Sequence, residues 1–246
     1  MTYDVIDRAR RRTRRRVAAA ALAVAAVTAL GAVVAVALHD DSSAQTPGRA
    51  FTTPASGSDA AGGVALPADL RWTPVGGVSL PESRQAGPHD STGGLARGFS
   101  HDEPGAVLAA VHVIVRVAPQ LGPSVFDQTL RSQVTGPDAA AMRSRVAQDY
   151  DQLRANAGVR YGQPVGHLAA ALRGYRLTDY TPQEVSLQIL TEGRDGDGEP
   201  VLAASTVRLQ WTGSDWALLA PPGGDFNSVV SSAGDATGFH PFTPGR

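Results

Sequence analysis

The chain has 246 residues, 42% of them hydrophobic, and no cysteine. That length leaves room for about one domain of ordinary size beside a membrane segment and a linker, and the missing cysteine excludes disulfides and thiolate metal sites. The formal net charge of −1 conceals an asymmetry: seven arginines between Arg8 and Arg16 stand against Asp4 and Asp7, and the other 15 arginines face 21 acids. The N-terminus is therefore basic and everything after it acidic, which argues against a nucleic-acid-binding domain in the larger part of the chain.

Residues 1–16 read as a basic cytoplasmic tail. Val17 to Leu38 is an uncharged run of 22 residues, mostly Ala and Val. At about 1.5 Å per residue a helix of that length reaches roughly 33 Å, enough to cross a hydrocarbon core of about 30 Å. Arg14, Arg15 and Arg16 precede it and His39, Asp40 and Asp41 follow, so the positive-inside rule predicts a single-pass anchor with the C-terminal part outside the cell membrane. A cleaved signal peptide ending near Ser42-Ser43-Ala44 is the competing reading, but the apolar run exceeds the usual h-region of about 7–15 residues.

Residues 39–70 are rich in Ser, Thr, Gly, Ala and Pro, and such a composition predicts a flexible linker. The folded domain is expected over 71–222. It opens with an extended strap, Trp72-Thr73-Pro74-Val75-Gly76-Gly77-Val78-Ser79-Leu80-Pro81, packing Trp72 and Leu80. A helix is expected to begin near Ser100, where Ser100 and Glu103 have capping-box spacing and Pro104 fits the first turn. Val107, Val111, Ile114 and Ala118 continue it, and Pro119 with Gly122-Pro123 ends it. A second helix runs from Pro137 to about Asn156, with Ala139, Met142, Val146, Tyr150 and Leu153 as its apolar stripe and Gly158 as its stop.

The period then changes to strands: Leu172 to Tyr180, Glu184 to Glu192, Val201 to Trp211 and Trp216 to Ala220. Helices followed by an antiparallel meander predict an α+β domain with helices on one face of a four-stranded sheet. Residues 223–246 read as an irregular tail, with Phe239 and Phe242 docked back.

Two helices and a sheet ending in Trp211-Thr212-Gly213-Ser214-Asp215-Trp216, a Trp-x-Gly-x-x-Trp hairpin, resemble nuclear transport factor two-like domains, which implies a curved sheet. Joined to one N-terminal span, the pattern resembles the VirB-type inner-membrane scaffold proteins of conjugation machines and their Gram-positive counterpart TcpC. Trp72-Thr73-Pro74, Gly77-Val78-Ser79-Leu80-Pro81, Gly98-Phe99-Ser100-His101, Gly174-Tyr175-Arg176 and Ala220-Pro221-Pro222-Gly223-Gly224-Asp225 also resemble an uncharacterised actinobacterial membrane family associated with integrative and conjugative elements. The use of arginine for all 22 basic residues fits a GC-rich genome of that kind. These resemblances imply a membrane-anchored structural or adaptor subunit of a cell-envelope assembly for conjugative DNA transfer. Its partners would be envelope proteins or further copies of itself, with no direct nucleic-acid contact.

No catalytic, cofactor-binding or metal-binding motif emerges. His101-Asp102-Glu103 suits helix capping better than acid–base chemistry, because consecutive side chains do not converge on one point. Asp195-Gly196-Asp197-Gly198-Glu199 lacks the spaced ligands of a calcium loop. Gly98-Phe99-Ser100 lacks the context of a nucleophile elbow. Tyr175, Tyr180, Trp211 and Trp216 are the candidates for a pocket or interface on the sheet, against the plainer reading that they fill its core. An alternative function, a small-ligand-binding or isomerase/dehydratase-like domain, requires a carboxylate or imidazole facing an open pocket; His112, Asp127 and Asp179 are its candidates. A signalling sensor is disfavoured, since 16 residues are too few for a cytoplasmic enzymatic region.

Overall fold

The computed structural model describes residues 64–242. The basic tail, the apolar run Val17–Leu38 and most of the linker lie outside the described residues. Among those described, no helix is long and apolar enough to cross a membrane.

The first element is a hairpin of β1 (Arg71–Val75) and β2 (Val78–Glu82), which form a two-stranded sheet of their own. Its register pairs Trp72 with Pro81 and Thr73 with Leu80. Leu80 is buried and Trp72 packs against the core, as expected, but the segment expected as an extended strap folds back on itself as a hairpin.

Helix α1 (Glu103–Arg116) follows. Its N-cap is Asp102, whose carboxylate accepts from the Gly105 N–H at 2.8 Å, with Pro104 in the first turn. The cap therefore sits two residues later than the capping-box spacing suggests; the Ser100 hydroxyl bonds the Asp102 carboxylate instead of the helix. Every residue from Gly105 to Arg116 is buried. A helix apolar on all sides has to be enclosed on all sides, and α1 touches β2, α2 and four strands of the large sheet.

Helix α2 (Pro123–Ser132) was not expected, because Gly122-Pro123 reads as a stop. Proline serves equally well as the first helical residue, where its missing N–H costs nothing, and Phe126 and Leu130 at i, i+4 are both buried. After β3 (Val134–Thr135) comes α3 (Ala139–Ala157), which buries Ala139, Met142, Val146 and Tyr150 and ends at Gly158 in the left-handed conformation. Four members of its predicted stripe are buried, and the fifth, Leu153, is only half-buried.

The large sheet contains β4 (Ala171–Tyr180), β5 (Glu184–Arg194), β6 (Pro200–Trp211), β7 (Trp216–Leu219), β8 (Val230–Ala233) and β9 (His240–Pro241), together with β3. The order is β3-β7-β6-β5-β4-β9, with β8 also on β6. β7 takes Leu209–Trp211 of β6 and β8 takes Leu202–Ser205. β3 runs parallel to β7, so the sheet is mixed. Val185, Leu187, Ile189, Val207 and Leu209 alternate into the core.

This architecture corrects the expected fold. The sheet has seven strands and is mixed, not the four-stranded antiparallel sheet of a nuclear transport factor two-like domain, and among the described residues three α-helices accompany it. Three strands, β3, β8 and β9, are two to four residues long, too short for alternation to betray them. Two of these lie in the segment expected to be an irregular tail. Phe242 does dock back: it is buried with its ring centroid 5.0 Å from that of Tyr175. The Arg176 guanidinium lies 4.6 Å from the centre of the Phe239 ring.

Candidate docking surface

The four aromatic candidates fall into two places. Tyr175 belongs to the closure of the domain. It is buried, its hydroxyl donates to the Val64 carbonyl, and it packs on Phe242, so the first and last described segments meet on it. Burial raises its pKa above the ordinary phenol value.

Tyr180, Trp211 and Trp216 converge at another corner, with a partner that the sequence did not assign there, His101. Trp216 is fully buried and its indole N–H donates to the Ser100 carbonyl at 2.9 Å. Trp211 lies edge-on to it, with centroids 5.3 Å apart, and Tyr180 is tilted against it at 6.5 Å. The His101 ring stacks on Trp211 at 3.9 Å with planes 9° apart, and its Nε2 pairs with the Pro182 carbonyl. The β6–β7 turn makes this possible by bringing Trp211 and Trp216 into register as cross-strand partners.

Asp215, in that turn, ties the corner to the segment leading into α1. Its carboxylate accepts from the backbone N–H groups of Gly98 at 2.8 Å, Phe99 at 3.2 Å and Trp216 at 2.9 Å. Burial raises the Asp215 pKa even though these donors and Arg97 favour the ionised form. The Tyr180 hydroxyl also titrates above its ordinary value, first through burial and then through the nearby Glu103 and Asp102 carboxylates.

Trp216 is committed to the core. Trp211 and Tyr180 are half-buried and His101 is exposed, so the corner presents aromatic edges to solvent on a frame fixed by hydrogen bonds. Rigid aromatic groups lose little conformational freedom when a partner covers them, which is what a protein-docking patch needs. The Asp102 carboxylate is occupied by the Gly105 N–H and the Ser100 hydroxyl, in keeping with a capping role.

The residues considered for ligand chemistry lie apart. His112 is enclosed in α1, its Nε2 on the Pro81 carbonyl at 2.9 Å and its Nδ1 on Arg116 at 2.7 Å. Asp179 is exposed on β4. Asp127 borders an open cleft of about 480 Å³ beside α2, where it pairs with Arg131 at 3.1 Å. A second cleft, of about 230 Å³, lies next to β7 between Arg208, Leu219, Pro222 and Phe226. Neither cleft opens onto the core face of the sheet, which α1 covers. The Asp195 side chain accepts from the N–H groups of Asp197 and Glu199, each at 2.9 Å, so the acidic loop is a hairpin turn. Among the described residues no group of His, Asp and Glu is arranged to hold a metal ion.

The sequence matches a family model over residues 37–241, and the chain belongs to that family, described as a domain of unknown function (DUF8175). No curated protein and no solved structure matches the chain.

Proposed function

We propose that this member of the DUF8175 family is a membrane-tethered adaptor subunit of a cell-envelope assembly, its folded domain held outside the membrane and docking protein partners. The observation that carries the reading is a combination. An uncharged run long enough to span a bilayer, Val17–Leu38, follows Arg14–Arg16, and the domain downstream has its sheet closed over by a helix buried from Gly105 to Arg116. A closed sheet offers function on its surface, and the aromatic corner at His101, Tyr180 and Trp211 is the surface best built for it. The assembly we infer is a conjugative DNA-transfer machine, on the strength of the motif resemblance between Trp72 and Asp225 to membrane proteins of integrative and conjugative elements. The alternative small-molecule reading gains nothing from the enclosed His112 or the exposed Asp179, and Asp127, though it borders an open cleft, is paired with Arg131.

The test is crosslinking of the tagged full-length protein in its native membrane, followed by capture and mass spectrometry. Membrane components of a transfer channel, or a transfer ATPase, are the expected captures. They should drop at least several-fold in a His101→Ala/Trp211→Ser double variant that still reaches the membrane. Efficient crosslinking that returns only the bait would overturn the proposal.

A further inference from the structure

We propose that the β1–β2 hairpin is an acid-released clasp: protonation of His112 breaks its contact with Arg116 beneath the hairpin and swings the hairpin off α1. This device is independent of the docking proposal.

The hairpin forms no strand pairing with the seven-stranded sheet, so displacing it breaks packing on α1 and β4 but no strand pairing of that sheet. It is held by the burial of Val78 and Leu80, by the Leu168 N–H donating to the Gly76 carbonyl at 2.7 Å, and by His112. The imidazole is the polar member of this contact, and its proton position is fixed by its neighbours. Arg116 has only donors to offer. Nδ1 therefore accepts from the Arg116 guanidinium at 2.7 Å, and Nε2–H donates to the Pro81 carbonyl at 2.9 Å. The ring must be neutral for both bonds to exist.

A proton on Nδ1 turns the acceptor into a second donor facing a guanidinium. It also puts two positive charges side by side at residues that are 0% and 5% exposed. Buried like charges without solvent are costly. The Pro81 carbonyl, which keeps its bond from Nε2–H, favours the charged ring, but burial and Arg116 outweigh it. Arg116 is the charge that acts on it from α1. Glu82 on β2 acts on Arg116 from beyond. The Phe99 ring, 5.6 Å away, lies on the segment before α1. The strands under α1 contribute Leu187, Ile189, Val207 and Leu209 to the core. Water reaches His112 at least cost by lifting the hairpin, since local opening needs less free energy than unfolding the sheet. An open hairpin uncovers Val78, Leu80 and the outer side of α1.

The direction of the pH response follows. Burial, and then Arg116, depress the His112 pKa from 6.5 to about 3. A depressed imidazole pKa stabilises the closed form above pH 6.5, and that contribution is lost as pH falls from 6.5 towards about 3. If His112 regains its ordinary pKa in the open hairpin, the opening equilibrium rises by about 30-fold between pH 7.5 and 5.0.

Hydrogen exchange of the full-length chain at those two pH values, corrected for intrinsic exchange rates, tests this. At both pH values the amides of residues 71–82 should be less protected than those of β5–β6, and their protection should fall about 30-fold at the lower pH, a fall that H112Q should abolish. Equal protection in the hairpin and in β5–β6, an unchanged hairpin, or a full pH response in H112Q would each overturn the proposal. If H112Q fails to fold, the wild-type hairpin decides alone, by whether its amides are less protected than those of β5–β6 and lose protection at the lower pH.

Discussion

Trp216→Ala is expected to destabilise the purified full-length chain by about 4 kcal/mol. Trp216 is among the largest fully buried side chains, and truncation of a buried tryptophan removes its transfer free energy and leaves a cavity that the surroundings only partly fill. The cost extends beyond packing. The indole N–H bonded to the Ser100 carbonyl is lost, leaving an acceptor at the entry to α1 without its partner. Trp211, Tyr180 and His101 all contact the Trp216 ring, so the exposed corner should loosen along with the core. Chemical unfolding followed by far-ultraviolet circular dichroism measures the loss as a lower midpoint with an unchanged slope. A loss below about 1 kcal/mol, the range of an ordinary surface substitution, would contradict the placement of this residue.

Gly224→Ala is expected to cost about 3 kcal/mol or more, for a different reason. Gly224 has φ +68° in the segment after β7, and a Cβ there would lie 2.2 Å from the Met142 backbone nitrogen and 2.6 Å from the Ala141 carbonyl carbon. Those are main-chain atoms in the first turn of α3, which can yield only by moving the helix. Gly223 supplies the control. It also has a positive φ, +62°, but a Cβ on it would meet nothing within 4 Å. Gly223→Ala should therefore show the backbone cost alone, about 1–2 kcal/mol. Equal effects of the two substitutions would mean that the loop does not press on α3 as described.

The parts of this fold visible in the sequence are those with enough length to show a period. The α3 stripe Ala139, Met142, Val146, Tyr150 and its Gly158 stop are legible because nineteen residues hold more than five turns of one pattern. Strands β4, β5 and β6, of 10, 11 and 12 residues, are legible for the same reason, and the four-residue β7 through the turn Thr212-Gly213-Ser214-Asp215 before it. The expected sheet was too small because β3, β8 and β9 take their place from tertiary pairing with β7, β6 and β4, which local sequence does not record. Helix α2 was hidden by a proline that ends one segment and begins the next.

The aromatic corner was half legible. The Trp211–Trp216 spacing announced a hairpin with paired indoles. Nothing local placed His101, 110 residues earlier, flat against Trp211, or separated Tyr175 from the other three. The resemblance to nuclear transport factor two-like domains rested on that hairpin and on two helices before a sheet. Such a pattern constrains a few strands, and the fold around them proved different.

The central claim, a domain carried outside the membrane on a retained N-terminal anchor, is open to a direct measurement because the chain has no native cysteine. Single cysteines introduced as Thr13→Cys, before the apolar run, and Ser214→Cys, in the exposed β6–β7 turn, would be exposed to a membrane-impermeant maleimide in intact cells. Ser214→Cys should label in intact cells. Thr13→Cys should label only after lysis, on a membrane-bound chain of full length. Labelling of Thr13→Cys in intact cells, protection of Ser214→Cys until lysis, or loss of residues 1–44 from the mature chain would contradict the account.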